Sequence, residues 1–278
     1  MTAAGADMRL TPGAGVLLKL GGELLETACG RQNIARAMRR LQASGPLVVV
    51  HGGGREVDIE MAAKGIPKQA VDGLRVTDAP TLDVVVGVLA GRVNTRLVAA
   101  ARAEGLRAVG LTAADAGVAS VRQADPYRAA DGTLVDLGFV GQPTGTEPAQ
   151  LVTQLCAAGF VPIIASIGVD ANGQLLNVNA DTLAGHLAAR MTVTRLLIAG
   201  GTPGVLDEHG DTIASVNETL LEALIADGRA SAGMVAKLIA CREARRGGVA
   251  NVRIVSGKDT SDLDDSPGTT IGEDERGV

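Results

Sequence analysis

The sequence predicts an α/β protein in which a mainly parallel sheet is covered by helices. Two patterns carry this. Apolar strand-like runs alternate with helical patterns along the whole chain. Runs such as "VVV" (48–50) and "VPIIASI" (161–167) read as apolar on both faces, which suits strands covered by helices above and below. A third observation sets the scale: 278 residues, 46% of them apolar, suffice for one large domain or two lobes around a sizeable core.

The elements follow in order. The first fifteen residues, with Thr11, Pro12 and three glycines, read as a flexible leader. "VLLKL" (16–20) is the first strand, followed by a helix over about 30–43. The second strand, 46–51, ends in "HGGG" and leads into a helix over 55–64. Thr77 or Asp78 would cap a long helix over 79–104. A strand at 107–111 precedes short polar, Gly-rich pieces at 112–138, which read as hairpins or an insertion. Then come a helix at 147–158 and a strand at 161–167. "GVDANGQLL" (168–176) makes a turn and marks a lobe boundary, giving lobes 16–175 and 176–278. Beyond it lie a helix at 180–190, a strand at 195–199, helices at 217–226 and 232–246, and a strand at 250–255. From 257 the chain is acidic and turn-rich, with one last short strand at "TTI".

Composition excludes several classes. With no Trp, one Tyr and two Phe, the core is Ala, Val, Leu and Ile, and any nucleotide pocket is aliphatic. A stacking platform for nucleic acid is missing, and a net charge of −5 also argues against that partner. Cys29, Cys156 and Cys241 lie far apart and fit neither a metal spacing nor a disulfide framework. No secretory signal is read, so a reducing, cytoplasmic setting is expected. No apolar run is read as long enough to span a bilayer.

Lys19 interrupts an apolar strand that closes on Gly21 and Gly22. A buried lysine is costly unless something negative pairs with it. Glycines after a strand let backbone N–H groups approach a phosphate, and Gly53 and Gly54 repeat the arrangement. One such stretch is equally a tight turn; two, one with an adjoining lysine, point to phosphate. The P-loop, the dinucleotide fingerprint, zincin histidines and the Gly-x-Ser-x-Gly elbow are all missing. His51 reads as a structural residue closing its strand. Arg75, in "DGLRVTD", is either a surface arginine or a clamp on a substrate carboxylate. Asn177, Asn179 and Asp181 alternate, so as a strand they share one face, with Thr182 opening a helix; the other reading is an Asx-rich turn. Lys237 lies in an apolar helical stretch.

"KLGGE", "VVHGGG", "GLRVTD", "SIGVDANGQLLNVNAD", "TPGVLD" and "GMVAKL" occur in that order over residues 16–255. Together they resemble the acetylglutamate kinases of the amino-acid kinase family. The resemblance implies a three-layer αβα sandwich around a mainly parallel open sheet. It implies an N-terminal lobe for the acyl amino acid and for dimerisation, and a C-terminal lobe for ATP with Mg²⁺. The reaction implied is phosphorylation of the side-chain carboxylate of N-acetyl-L-glutamate, in arginine biosynthesis. Lys19 and Lys237 match the lysines that stabilise the transferring phosphoryl group, and Asp181 the aspartate that positions them. Gly21, Gly22, Gly53 and Gly54 match the glycines whose N–H groups face the phosphates, the latter two also meeting substrate. Gly201 and Gly233 fall at nucleotide-binding positions. Arg75 matches a carboxylate clamp, and Asn177 and Asn179 match substrate-contacting asparagines. No protein-held metal is implied.

Departures touch the nucleotide lobe. Gly200 and Gly201 stand where many relatives carry a Thr/Ser–Asp pair, and Ala232 where Gly is frequent. The short leader predicts a homodimer insensitive to arginine. A related kinase acting on a carrier-linked aminoadipate or glutamate, or on another acylated glutamate, would share the lysines and glycines. A non-catalytic sensor on the same fold would have lost Lys19, Lys237 or Asp181, and all three are present.

Overall fold

The structure, a computed structural model, describes residues 15–147, 149–191, 193–226 and 232–272. Apart from Gly15, the expected leader lies outside the described residues. Eight strands form one sheet, in the order 215–216, 268–271, 251–256, 195–200, 16–20, 47–51, 161–165, 108–112. All neighbours are parallel except Asn251–Ser256 with Gly268–Ile271. The strands Val16–Leu20, Leu47–His51 and Val161–Ala165 are buried at every position, as double-sided burial requires. The expected sandwich is thereby met, with helices on both faces. Strands drawn from before residue 175 fill one half of the sheet and those from after 195 the other, meeting where Val16–Leu20 pairs with Arg195–Gly200.

Alternation along the strands divides the core in two. Leu17, Val48, Val50, Ile164, Leu196 and Ile198 pack with Leu183 and Leu187 of helix Ala180–Met191 and with Leu238 and Cys241 of helix Ala232–Arg246. Leu18, Leu20, Leu47, Val49 and Ile163 pack on the other side with Met38 of helix Ala28–Ala43 and with Val85, Leu89 and Leu97 of the run Ala79–Ala103. Lys19 is on the same face as Leu17, because side chains two apart in a strand point the same way. The register therefore aims it at helix Ala180–Met191. His51 shares its face with Val49 and is aimed at the opposite layer.

The long helix expected over 79–104 is a continuous helical run of three parts. An α-helix, Ala79–Val86, passes through a π-helical segment, Gly87–Val93, into a second α-helix, Asn94–Ala103. Asp78 caps it: Thr81 N–H donates to Asp78 Oδ1 at 2.9 Å. This run corrects the expectation about bilayer length. Its 25 residues are long and apolar enough by composition to cross a membrane. In this fold its apolar side chains are spent on the core, and Arg92 is tied to Glu60 at 2.7 Å.

The segment 112–138 and its neighbours form a second, small sheet. Strands Ser120–Gln123, Val140–Thr144, Ile167–Val169 and Leu175–Val178 close on themselves, with a two-residue ladder of Tyr127–Arg128 on Leu134–Val135 beside them. The stretch 168–176 contains the turn of a hairpin within it. Asp170 Oδ1 accepts from the N–H groups of Asn172 and Gln174, and Gly173 takes a φ of 85°. The short strand expected at "TTI" is present as Gly268–Ile271.

Candidate active site

Three neighbouring parallel strands end side by side in glycines. Val16–Leu20 runs into Gly21 and Gly22, Leu47–His51 into Gly52–Gly54, and Arg195–Gly200 into Gly201. In open α/β sheets ligands bind beyond the carboxyl ends of strands, and a cleft of about 710 Å³ opens there. Lys19, Gly21, Gly22, Gly53, Gly54, Arg75, Asn177, Asn179, Asp181 and Lys237 all line it. Residues scattered over more than 200 positions of sequence thus converge on one concavity.

The glycine loops touch. A Cβ built on Gly22 would lie 3.3 Å from Gly54 N and only 2.8 Å from Gly53 Cα, the latter closer than real side chains come. On Gly53 it would meet Leu89 Cδ2 at 2.9 Å, so the π-helical segment presses against the second loop from behind. At Gly22 and Gly53 the loops are therefore bare backbone by steric necessity, whereas a Cβ on Gly54 would meet nothing within 4 Å.

Lys19 is 6% exposed, and its Nζ lies 2.8 Å from Asp181 Oδ1. Asp181 stands in the first turn of helix Ala180–Met191, also buried. Asn179 ends the preceding strand and starts the helix: its Oδ1 accepts from the N–H groups of Asp181 at 2.9 Å and Thr182 at 3.1 Å. This corrects the strand reading of the Asn–Asn–Asp alternation. Asn177 alone is in the strand Leu175–Val178, and the helix opens at Ala180, not at Thr182. Asn177 Nδ2 donates to Thr77 Oγ1 at 3.1 Å.

Lys237 approaches from helix Ala232–Arg246. Its Nζ donates to Gly233 O, one turn back, at 3.2 Å. Asp181 is ion-paired with Lys19 and, among the described residues, not with Lys237. Gly201 and Gly233, expected at the nucleotide, are not on the cleft wall. The Gly201 N–H is held by Glu23 Oε1 at 2.7 Å, and the Gly233 carbonyl by Lys237.

Arg75 is not a loose surface residue. Its guanidinium bonds Asp58, Gly54 O at 3.2 Å and Met61 Sδ at 3.1 Å. Burial pushes the Asp58 carboxyl up, but its bonds to Lys68 and Arg75 outweigh that and hold it below the usual carboxylate range. His51 is structural, as read. Asn94 Nδ2 donates to Ile163 O at 2.8 Å and faces His51 Nε2 at 3.0 Å, so Nε2 accepts and Nδ1–H points to Gly52 O at 3.0 Å. Burial holds its pKa down at about 4, and the ring is neutral.

Sequence reasoning assigned no role to Glu23, to Asp58, or to the wall that the small sheet contributes through Tyr127, Arg128 and Gln142. These meet the site through long-range contacts that no local pattern announces.

The family model described as the amino acid kinase family matches residues 15–256. An acetylglutamate kinase of Geotalea uraniireducens is 37% identical over 255 residues, covering 90% of this chain and 87% of that one. An acetylglutamate kinase of Symbiobacterium thermophilum is 38% identical over 250 residues, covering 88% and 85%. A crystal structure from Streptococcus mutans UA159 superimposes with a TM-score of 0.79 at 26% identity, over 94% of this chain and 99% of that chain. A carbamate kinase of Giardia shares the fold, with a TM-score of 0.65 at 17% identity over 95% of this chain and all of that one.

Proposed function

The chain belongs to the amino acid kinase family, and from that premise we propose that it phosphorylates the side-chain carboxylate of N-acetyl-L-glutamate with ATP. This is an early step of arginine synthesis. In the transfer a carboxylate oxygen forms a bond to the γ-phosphorus while the bond from that phosphorus to the β-bridging oxygen breaks. The products are an acyl phosphate and ADP. A carboxylate is already ionised at neutral pH, so no proton moves and no general base is needed. What the reaction needs is alignment and relief of repulsion between two anions.

One observation carries the reading: a buried Lys19–Asp181 pair and Lys237 face the same cleft, floored by two glycine loops in backbone contact. Lys19 and Lys237 would neutralise the transferring group. The N–H groups of Gly22, Gly53 and Gly54 would cradle it; the Gly21 N–H, expected to do the same, is instead donated to Ala199 O at 2.8 Å, because the ladder between the two neighbouring strands extends by one residue. Asp181 would hold Lys19 in place. Arg75 would clamp a carboxylate of acetylglutamate, with Asn177 and Asn179 as further substrate contacts. The bare loops and flanking cations fit a nucleotide's phosphates. Mg²⁺ would arrive on the nucleotide and neutralise its β- and γ-phosphates; among the described residues no cluster of three or more His, Cys, Asp or Glu would hold an ion alone.

By the same reading, residues 16–175 hold the acyl amino acid and 176–278 hold ATP. A cytoplasmic homodimer is the proposed form.

The test is ATP-dependent acyl phosphate formation, trapped with hydroxylamine, on N-acetyl-L-glutamate beside N-succinyl-L-glutamate, free glutamate and aspartate. Preferred turnover on acetylglutamate is expected. No turnover on any of the four would overturn the substrate assignment and favour a carrier-linked acceptor.

A further inference from the structure

Glu23 follows the first glycine pair and has no part in the transfer just described. It is exposed, yet its side chain folds back over its own loop toward the neighbouring strand end. Gly201 N–H donates to its Oε1 at 2.7 Å. A Cβ built on Gly21 would lie 2.5 Å from both carboxylate oxygens. On Gly200 it would lie 3.3 Å from Glu23 Oε1 and 3.7 Å from Lys237 Cε, and on Gly201 3.4 Å from Glu23 Cγ. The carboxylate therefore occupies a notch bounded by three glycines, at the ends of two adjacent strands, with Lys237 alongside. No side chain at positions 21, 200 or 201 competes for that space.

A carboxylate oxygen and a phosphate oxygen make the same demands: a backbone N–H and a nearby cation. The notch is built for an anion, and the chain's own anion sits in it. An exposed glutamate is not wedged there by packing, so it can swing out to water when a better ligand arrives.

We propose that Glu23 is an internal competitor for the phosphate seat at the nucleotide end of the cleft, an inference that rests on reading this cleft as a nucleotide site. A polyphosphate must displace the Glu23 carboxylate from Gly201 N–H before it seats beside Lys237. Glu23 thereby sets the affinity for nucleotide and leaves the acyl amino acid untouched.

The experiment is calorimetric titration of the full chain with ATP, with and without Mg²⁺, for the wild type, Glu23→Gln and Glu23→Ala. The KM for N-acetyl-L-glutamate serves as the internal control. Removing an exposed charge-assisted competitor tightens ATP binding by roughly three- to tenfold in Glu23→Ala. The gain is smaller in Glu23→Gln, whose amide oxygen still accepts from Gly201, and KM for the acyl amino acid stays level. Unchanged or weaker ATP binding in Glu23→Ala overturns the proposal. So does a loss confined to the Mg²⁺ arm, which would make Glu23 a ligand of the nucleotide's ion. Absence of ATP binding in all three proteins overturns it together with the nucleotide reading of the cleft. If the wild type fails to phosphorylate acetylglutamate but Glu23→Ala still tightens ATP, the competitor stands and only the substrate assignment falls.

Discussion

The two lysines of the cleft live in opposite circumstances. Lys19 is held in the middle of the central sheet, 6% exposed, with Asp181 at 2.8 Å from a helix capped by Asn179. Lys237 is half-buried on the second turn of a helix, and its Nζ rests on a carbonyl of its own preceding turn. One cation is fixed by the fold before any ligand arrives. The other is parked, along with Glu23 across the notch, until a ligand recruits it. The Lys19 side of the cleft is therefore preorganised by packing, and the Lys237 side waits on its ligand.

Substitution separates the two. Lys19→Ala is expected to cost at least ~10²-fold in kcat, as losing an electrostatic stabiliser does. It also strands a buried carboxylate, which costs about 3–5 kcal/mol of stability. A lowered Tm by scanning calorimetry beside the lost turnover would show both effects. Lys237→Ala is expected to lose kcat by a similar ~10² or more, with Tm moving little, since no buried partner is left behind. A variant of Lys237 that unfolds as readily as that of Lys19 would break the contrast. Near-normal turnover in both would remove the lysines from the mechanism altogether.

His51 sharpens the preorganised side from beneath. Burial lowers its pKa from the ordinary 6.5 to about 4. The unfolded chain therefore takes up a proton between those values that the folded chain refuses. Stability is full above pH 6.5 and falls as the pH drops toward 4, by about 2 kcal/mol between pH 7.5 and 5. His51→Gln should flatten that slope in denaturant titrations across the window. An imidazole seen by NMR to titrate near 6.5 in the folded protein would show that the strand end behind Gly52 is looser than its hydrogen bonds indicate.

How much of this was legible in the chain follows from the range of the interactions. Lys19, Gly21–Gly22 and Gly53–Gly54 were readable because strand, glycine and helix follow one another within a dozen residues. The central strands were readable because double-sided burial leaves a continuous apolar run. The register at 177–181 misled because an asparagine can end a strand and cap a helix with the same side chain, so alternation outlasted the strand it implied. The strand Val140–Thr144 escaped notice because it contains Gly141 and Pro143. Gly141 is there for space: a Cβ on it would fall 2.6 Å from Val121 Cγ1 and 2.9 Å from Leu176 Cβ in the closed small sheet. The Glu23–Gly201 and Arg75–Asp58 contacts span 178 and 17 residues, and nothing near either partner encodes them.

Arg75 offers the finest test of the preorganised side, because it already holds a carboxylate. Asp58 and Gly54 O both take Nη2, and Met61 Sδ takes Nη1, so the guanidinium is oriented before substrate binds. A guanidinium carries five N–H donors, and a second carboxylate can be added without releasing the first. Lysine at this position keeps the charge but loses the planar fork. Arg75→Lys is therefore expected to raise the KM for N-acetyl-L-glutamate about tenfold, with kcat nearly unchanged, the signature of lost uniform binding. The KM for ATP should not move, since the nucleotide end is organised separately. Steady-state kinetics with each substrate varied in turn decides it. A matching rise in the ATP constant would mean that the two ends of the cleft are coupled through the glycine loops that touch at Gly22 and Gly53, and the contrast between a fixed side and a recruited side would have to give way to a single element that closes on both ligands.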